Sequence, residues 1–147
     1  ANDKFNPVNE DWDSREIDPE KVERVIFCSG KVYYDLRNER RTRAIPNLPL
    51  VRIAQIYPFA HDEFRAQIVR YKNAKEIVWC QEEPKNNGSW FFVEPLIEES
   101  LKAAKCKVGR ARYAGRQASA SPATGLASQH KAQQAALVNE ALTIEGN

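Results

Sequence analysis

Short apolar runs alternate along the chain with stretches of helical period. Arg24–Cys28 (Arg-Val-Ile-Phe-Cys) is apolar without alternation and is bounded by Ser29-Gly30, the pattern of a short strand buried on both faces. Beyond it Val32, Tyr33 and Leu36 recur at helical spacing to about Arg43, and Pro46 and Pro49 then break the chain. Val51–Tyr57 reads as a second strand closed by Pro58, and His61-Asp62 begin a helix that sets Phe64, Ile68 and Tyr71 on one face. Ile77–Gln81 is a third strand. Trp90–Ala104 holds a helix with Leu96, Ile97 and Leu101 inward, its start left open by Pro95. Val108–Tyr113, where Arg110 and Arg112 alternate with Ala111 and Tyr113, has the pattern of an edge strand, and Leu126–Ile144 closes the chain as a helix.

Strands alternating with helices predict an α/β fold: a three-layer αβα sandwich around a mainly parallel sheet, with an antiparallel strand admissible at an edge. There is no internal repeat. Residues 1–17 are polar and acidic with no sustained period, and Asp18-Pro19-Glu20 has the order of an N-cap followed by proline at the first helical position. The expected division is therefore a linker or extended arm over 1–20 and a folded domain over 21–147. Ala114–Gly125, rich in Gly, Ala, Ser and Pro, is expected to be a loop, of a length that is usually functional or disordered.

With 147 residues the chain fits one domain, which at this size buries roughly 68–70% of its unfolded surface. No apolar run approaches the ~20 residues of a membrane-spanning helix, and a net charge of only +2 gives no general attraction to nucleic acid or anionic lipid. Cys28, Cys80 and Cys106 are odd in number, widely spaced and without a Cys-x-x-Cys pair. They predict neither a disulfide framework nor a zinc site, but small buried hydrophobes in a reducing, intracellular setting. The amino terminus shows no signal peptide and the chain has no methionine, as expected of a segment taken from something longer.

Candidate chemistry gathers at predicted strand ends. In Trp79-Cys-Gln-Glu-Glu-Pro-Lys-Asn-Asn-Gly-Ser-Trp90, polar Gln81, Glu82 and Glu83 follow an apolar run directly, and Pro84 is expected to end strand pairing. In an open α/β sheet the carboxyl ends of the strands form the ligand crevice. Glu82 and Glu83, adjacent on extended chain, point to opposite sides, so loop-fixing bonds and ion pairs are a better expectation for them than paired acid/base work. Ser29-Gly30-Lys31 at a strand-to-helix junction would suit an anion on backbone N–H groups, or would simply be a turn with a solvated lysine. Arg37, Arg40, Arg41 and Arg43 form a basic cluster at a helix end, read as solvated or partner-facing, with nucleic-acid contact the lesser reading. His61 and His130 have no nucleophile arranged around them, and Ser119 and Ser121 lack a nucleophile elbow. No catalytic residue and no metal ligand set is assigned.

Four blocks, Cys28-Ser-Gly-Lys-Val-Tyr-Tyr-Asp-Leu36, Val51-Arg-Ile-Ala-Gln-Ile-Tyr-Pro-Phe59, Trp79–Trp90 and Arg112-Tyr-Ala-Gly-Arg-Gln-Ala-Ser-Ala-Ser-Pro-Ala-Thr-Gly125, resemble in order and spacing the carboxyl-terminal region of the thiamine-dependent decarboxylating component of 2-oxoglutarate dehydrogenase. The resemblance covers about residues 5–144, with local departures at Ala54, Gln117 and Asn87-Gly88-Ser89. It implies a transketolase C-terminal-like domain of a homodimeric citric-acid-cycle enzyme, which decarboxylates 2-oxoglutarate on thiamine diphosphate and magnesium and passes succinyl to a lipoyl succinyltransferase. The implied partners are the preceding domains, the homodimer mate and that succinyltransferase, with no nucleic acid and no membrane. The implied location is the cytoplasm of a bacterium or the mitochondrial matrix of a eukaryote. Because the chain lacks the Gly-Asp-Gly…Asn motif, the segment is expected to bind neither cofactor nor metal and to catalyse nothing alone. Some members of the family are activated by acetyl-CoA bound partly to this domain. The resemblance thus implies an effector site for acetyl-CoA or a nucleotide at Ser29, Lys31, Arg52, Gln81 and Gly88, all at proposed strand ends. Two alternatives are an independent flavodoxin-like nucleotide or CoA binding module and a basic module using Arg37–Arg43.

Overall fold

A computed structural model describes residues 6–118 and 127–143. Five strands, β1 (Val8–Glu10), β2 (Arg24–Cys28), β3 (Leu50–Ile53), β4 (Glu76–Pro84) and β5 (Ala111–Arg116), form one sheet in the order β1-β3-β2-β4-β5. The strands β3, β2, β4 and β5 run parallel, and β1 is antiparallel to β3. Helices α1 (Trp12–Arg15), α2 (Val32–Thr42), α3 (His61–Arg70), α4 (Trp90–Ala103) and α5 (Ala127–Leu142) complete the domain, with a 3-10 turn at Pro19–Lys21 capped by the Asp18 carboxylate.

The apolar runs are continuous because both sheet faces are covered. Val25, Phe27, Val51, Ile53, Ile77 and Trp79 pack with Phe64 and Ile68 of α3 and Val93, Ile97 and Leu101 of α4. Ile26, Cys28, Leu50, Val78, Cys80 and Ala114, one residue out of phase, pack with Val32 and Leu36 of α2 and Leu137, Val138 and Ala141 of α5. The result is the expected three-layer αβα sandwich with a mainly parallel sheet.

The edges differ in detail from the sequence expectation. The antiparallel strand is β1, inside the segment read as an arm. That arm is fixed to the sheet side by polar bonds: Arg40 makes a buried ion pair with Asp11 and donates to the Leu48 carbonyl at 2.9 Å, and the Leu50 N–H donates to Ser14 Oγ at 2.9 Å. At the other edge β5 begins three residues later than predicted and runs parallel to β4. Its Arg112 does not face solvent. Arg112 meets Glu76 at 2.8 Å and Arg24 meets the same carboxylate at 3.2 Å, so three strands share one charged row beside α5, whose Glu140 carbonyl accepts from Arg112 at 3.1 Å. The alternation in β5 therefore records an ion-pair row, which composition alone does not separate from a wet edge. Strand β3 is shorter than predicted, ending at Ile53, and Ala54 turns its N–H to the Pro7 carbonyl at 2.8 Å. Helix α4 begins ahead of Pro95, which lies inside it. Residues 119–126, the greater part of the predicted Ala114–Gly125 loop, and Ile144 lie outside the described residues, while Ala114–Arg116 belong to β5.

Candidate functional site

The register of the sheet brings the carboxyl ends of β3, β2 and β4 side by side, with Arg52 level with Cys28 and Cys28 level with Cys80. Ser29, Lys31, Arg52, Gln81 and Gly88 thus border one rim, on which their side chains do different things.

Gln81 is 2% exposed and engages its carboxamide within the protein. Its Oε1 accepts from the Trp79 indole N–H at 2.9 Å and from the Trp90 backbone N–H at 3.0 Å, while its Nε2 donates to the carbonyls of Glu83 and Pro84, both at 3.1 Å. Two acceptor and two donor positions are what a primary amide possesses. Gly88 abuts this group: a Cβ there would stand 2.4 Å from Gln81 Nε2 and 2.6 Å from Cδ. The Trp79–Trp90 stretch is thus a loop closed upon a buried amide. Pro84 does not end the pairing at Gln81 as expected. The strand bulges between Gln81 and Pro84, and pairing resumes where the Lys85 N–H donates to the Arg116 carbonyl at 3.1 Å, past the proline that lacks a donor.

Lys31, exposed at the start of α2 after Gly30 at φ +81°, reaches Glu82 at 2.7 Å. The hydrogen bond to Glu82, followed by that carboxylate's charge, holds the ammonium above its ordinary pKa. Glu82 is thereby an ion-pair partner on the α2 side of the sheet, and Glu83 is exposed. Arg116, which sequence reasoning placed in a loop because the strand was ended at Tyr113, extends this network. It donates to the Glu82 carbonyl, to Gln133 Oε1 at 3.1 Å and to Gln134 Oε1 at 3.0 Å, and Gln134 in turn donates to Asp35 at 2.9 Å. Its only signal in the sequence is a lone arginine following Gly115 at the end of a strand.

The β3 end is arranged differently. Arg52 and Arg37 lie over the rings of Tyr33 and Tyr34, with guanidinium carbons 5.3–5.8 Å from the ring centroids. The Nε atoms of both are buried without a hydrogen-bond partner. The other arginines of the helix-end cluster are engaged: Arg40 with Asp11, Arg41 with Asp13 at 3.1 Å and Arg43 with Glu39 at 2.9 Å. That cluster mostly holds the arm and its own helix, where a solvated or partner-facing helix end was expected.

The two cysteines level with one another at the rim are free and buried. Burial pushes the Cys28 thiol up to about 12 and raises the Cys80 thiol well above its ordinary value. His61 packs its ring 5.1 Å from Phe59, and His130 lies exposed on α5. Among the described residues no group of three or more His, Cys, Asp or Glu side chains is placed to hold a metal ion.

Fold and rim together define an α/β domain whose strand-end loops are fixed by an internal polar frame. The chain belongs to the family described as 2-oxoglutarate dehydrogenase C-terminal, which matches residues 1–142. It is 50% identical over 129 residues to the 2-oxoglutarate dehydrogenase E1 component of Cupriavidus necator, covering 88% of this chain and 13% of that protein. It is 52% identical over 122 residues to the protein of the same name from Brucella anthropi, covering 83% of this chain and 12% of that one. The chain thus spans about one eighth of the length of these relatives. A match over nearly the whole chain does not favour an independent flavodoxin-like module.

Proposed function

We propose that the chain is the carboxyl-terminal domain of a 2-oxoglutarate dehydrogenase E1 component. In this reading the parent enzyme is a thiamine diphosphate- and magnesium-dependent oxidoreductase of the citric acid cycle. It acts as a homodimer in a multienzyme complex, decarboxylating 2-oxoglutarate and passing succinyl to the lipoyl groups of a succinyltransferase, in the cytoplasm if the source is bacterial. The segment supplies structure and dimer support, not reacting groups. The observation that carries this is the 50% identity over 88% of the chain. Among the described residues no helix is long and apolar enough to cross a membrane.

The test uses the parent protein with and without this segment, assayed for thiamine diphosphate-dependent decarboxylation of 2-oxoglutarate. The intact protein turns over 2-oxoglutarate and the truncated one does not. An intact parent that ignores 2-oxoglutarate would overturn the reading.

The effector role proposed for Ser29, Lys31, Arg52, Gln81 and Gly88, with acetyl-CoA or a nucleotide as ligand, is supported by their shared rim at the carboxyl ends of β2, β3 and β4. Arg52 is best placed of the five to take a phosphate, because its half-buried guanidinium lies on the Tyr33 and Tyr34 rings with no carboxylate partner among the described residues. Lys31 would have to release Glu82 to take part. Titration of the intact parent with acetyl-CoA decides: binding unchanged in both Arg52→Ala and Lys31→Ala would remove the site from this rim.

A further inference from the structure

The largest exposed aromatic groups on the α3–α4 side of the rim are Tyr57, 72% exposed, and Phe91, 58% exposed. Single exposed aromatics are ordinary on protein surfaces, but Tyr57 ends a continuous aromatic column. Tyr57 packs on Phe92 with centroids 4.3 Å apart, Phe92 lies 6.4 Å from Phe59, Phe59 lies 5.3 Å from Phe64, and Phe64 reaches Phe27 in the core at 4.9 Å. The column runs from the sheet outward and ends in solvent at Tyr57, with Phe91 on the adjoining first turn of α4. Pro95 has no N–H, so the Phe91 carbonyl lacks its helical donor.

The path of the chain indicates what covers this surface. Strand β1 is antiparallel to β3 and starts at its carboxyl end, where Val8 stands opposite Ile53 and the Pro7 carbonyl receives the Ala54 N–H. The described chain therefore enters the sheet, from Asn6 and Pro7, beside the carboxyl end of β3, and the turn that follows β3 carries Tyr57. In relatives about eight times as long, matched through a family described as C-terminal, most of the remaining chain precedes the matched part.

We propose that the Tyr57–Phe91–Phe92 surface is the seat of the polypeptide that precedes this segment in the parent protein, docked in the same chain. The proposal rests on the reading of the segment as part of an E1 component, and it adds the face, the residues and the occupant. Aromatic side chains that extend a core outward suit an interdomain contact, since they contribute large apolar area with little side-chain freedom to lose.

The test places the photo-crosslinker p-benzoylphenylalanine at position 57, and separately at position 91, in the intact parent protein. Products are separated by denaturing electrophoresis and mapped by peptide mass spectrometry. The expected result at both positions is a product of single-chain mass joined to residues preceding the segment. A product of doubled mass would make a second copy the occupant and overturn the proposal. So would the absence of any crosslinked product, or crosslinking that requires addition of the succinyltransferase component. Both positions are exposed, so the replacements leave the core intact, and retained 2-oxoglutarate turnover reports an assembled enzyme. Crosslinking of the expected kind in a parent with no such turnover would preserve the interface and remove the functional reading instead.

Discussion

The ends of β4 and β3 lie on one rim and treat their polar groups in opposite ways. At β4, Gln81 is buried with its amide engaged by Trp79, Trp90, Glu83 and Pro84, and Gly88 leaves no room for anything else against it. At β3, Arg52 is held among the described residues by ring faces, with its Nε unpartnered, and Tyr57 projects into solvent. A buried polar group has to be satisfied where it sits, so the β4 end is a frame. A partly exposed cation without a carboxylate is a group still able to take a partner, so the β3 end is where ligand and docking surfaces are sought.

The contrast breaks most sharply on substitution of the two residues. Gln81→Ala strands the Trp79 indole N–H, the Trp90 N–H and two carbonyls in the interior, a loss on the order of 3–5 kcal/mol in urea denaturation. Arg52→Ala removes ring contact and a charge with no acidic partner among the described residues and is expected to cost under about 1 kcal/mol. Next in size is Gly88→Ala, whose methyl meets the Gln81 amide and lowers stability by about 1–3 kcal/mol. Gly88→Ala in the Gln81→Ala background should cost much less, because the obstructing group is gone, and a double-mutant cycle measures this.

Those side chains also mark how far sequence carries. The layer architecture was legible because both faces of the sheet are covered and the strands are unbroken apolar runs such as Arg24–Cys28. The chemistry at the rim was only half legible. Gln81 stands out as a polar residue ending an apolar strand, but whether its amide faces a ligand or a tryptophan depends on contacts nine residues away, at Trp90. The arm was opaque for a similar reason. Three paired residues of β1 carry no period, and the buried partner of Asp11 is Arg40 on another element. Arg116 was lost with the end of its strand, because pairing resumes beyond the bulge at Pro84, where no local pattern indicates it.

Smaller effects sharpen the comparison through pH. Burial pushes the Cys28 thiol from about 9 to about 12, and chiefly burial takes the Tyr113 and Tyr71 phenols from about 10 to about 12. All three are raised in the folded state, so their contribution is complete below pH 9 and is lost as the unfolded chain deprotonates first on the way to pH 12. The melting temperature should fall continuously through that window, and Tyr113→Phe should flatten the upper part of the fall. Least of all, Lys31→Ala is expected to change stability by under about 1 kcal/mol, since Lys31 is largely exposed and water screens its pair with Glu82.

The frame at β4 is tested most directly by hydrogen exchange at the Trp90 amide, whose acceptor is the Gln81 side chain. The account predicts that in this chain Trp90 exchanges at nearly the slow rate of the core strands, that Gln81→Ala speeds it by a hundredfold or more relative to those strands, and that the amide of Tyr57 at the β3 end is fast in both. A Trp90 amide as fast as that of Tyr57 in the unaltered protein would contradict it.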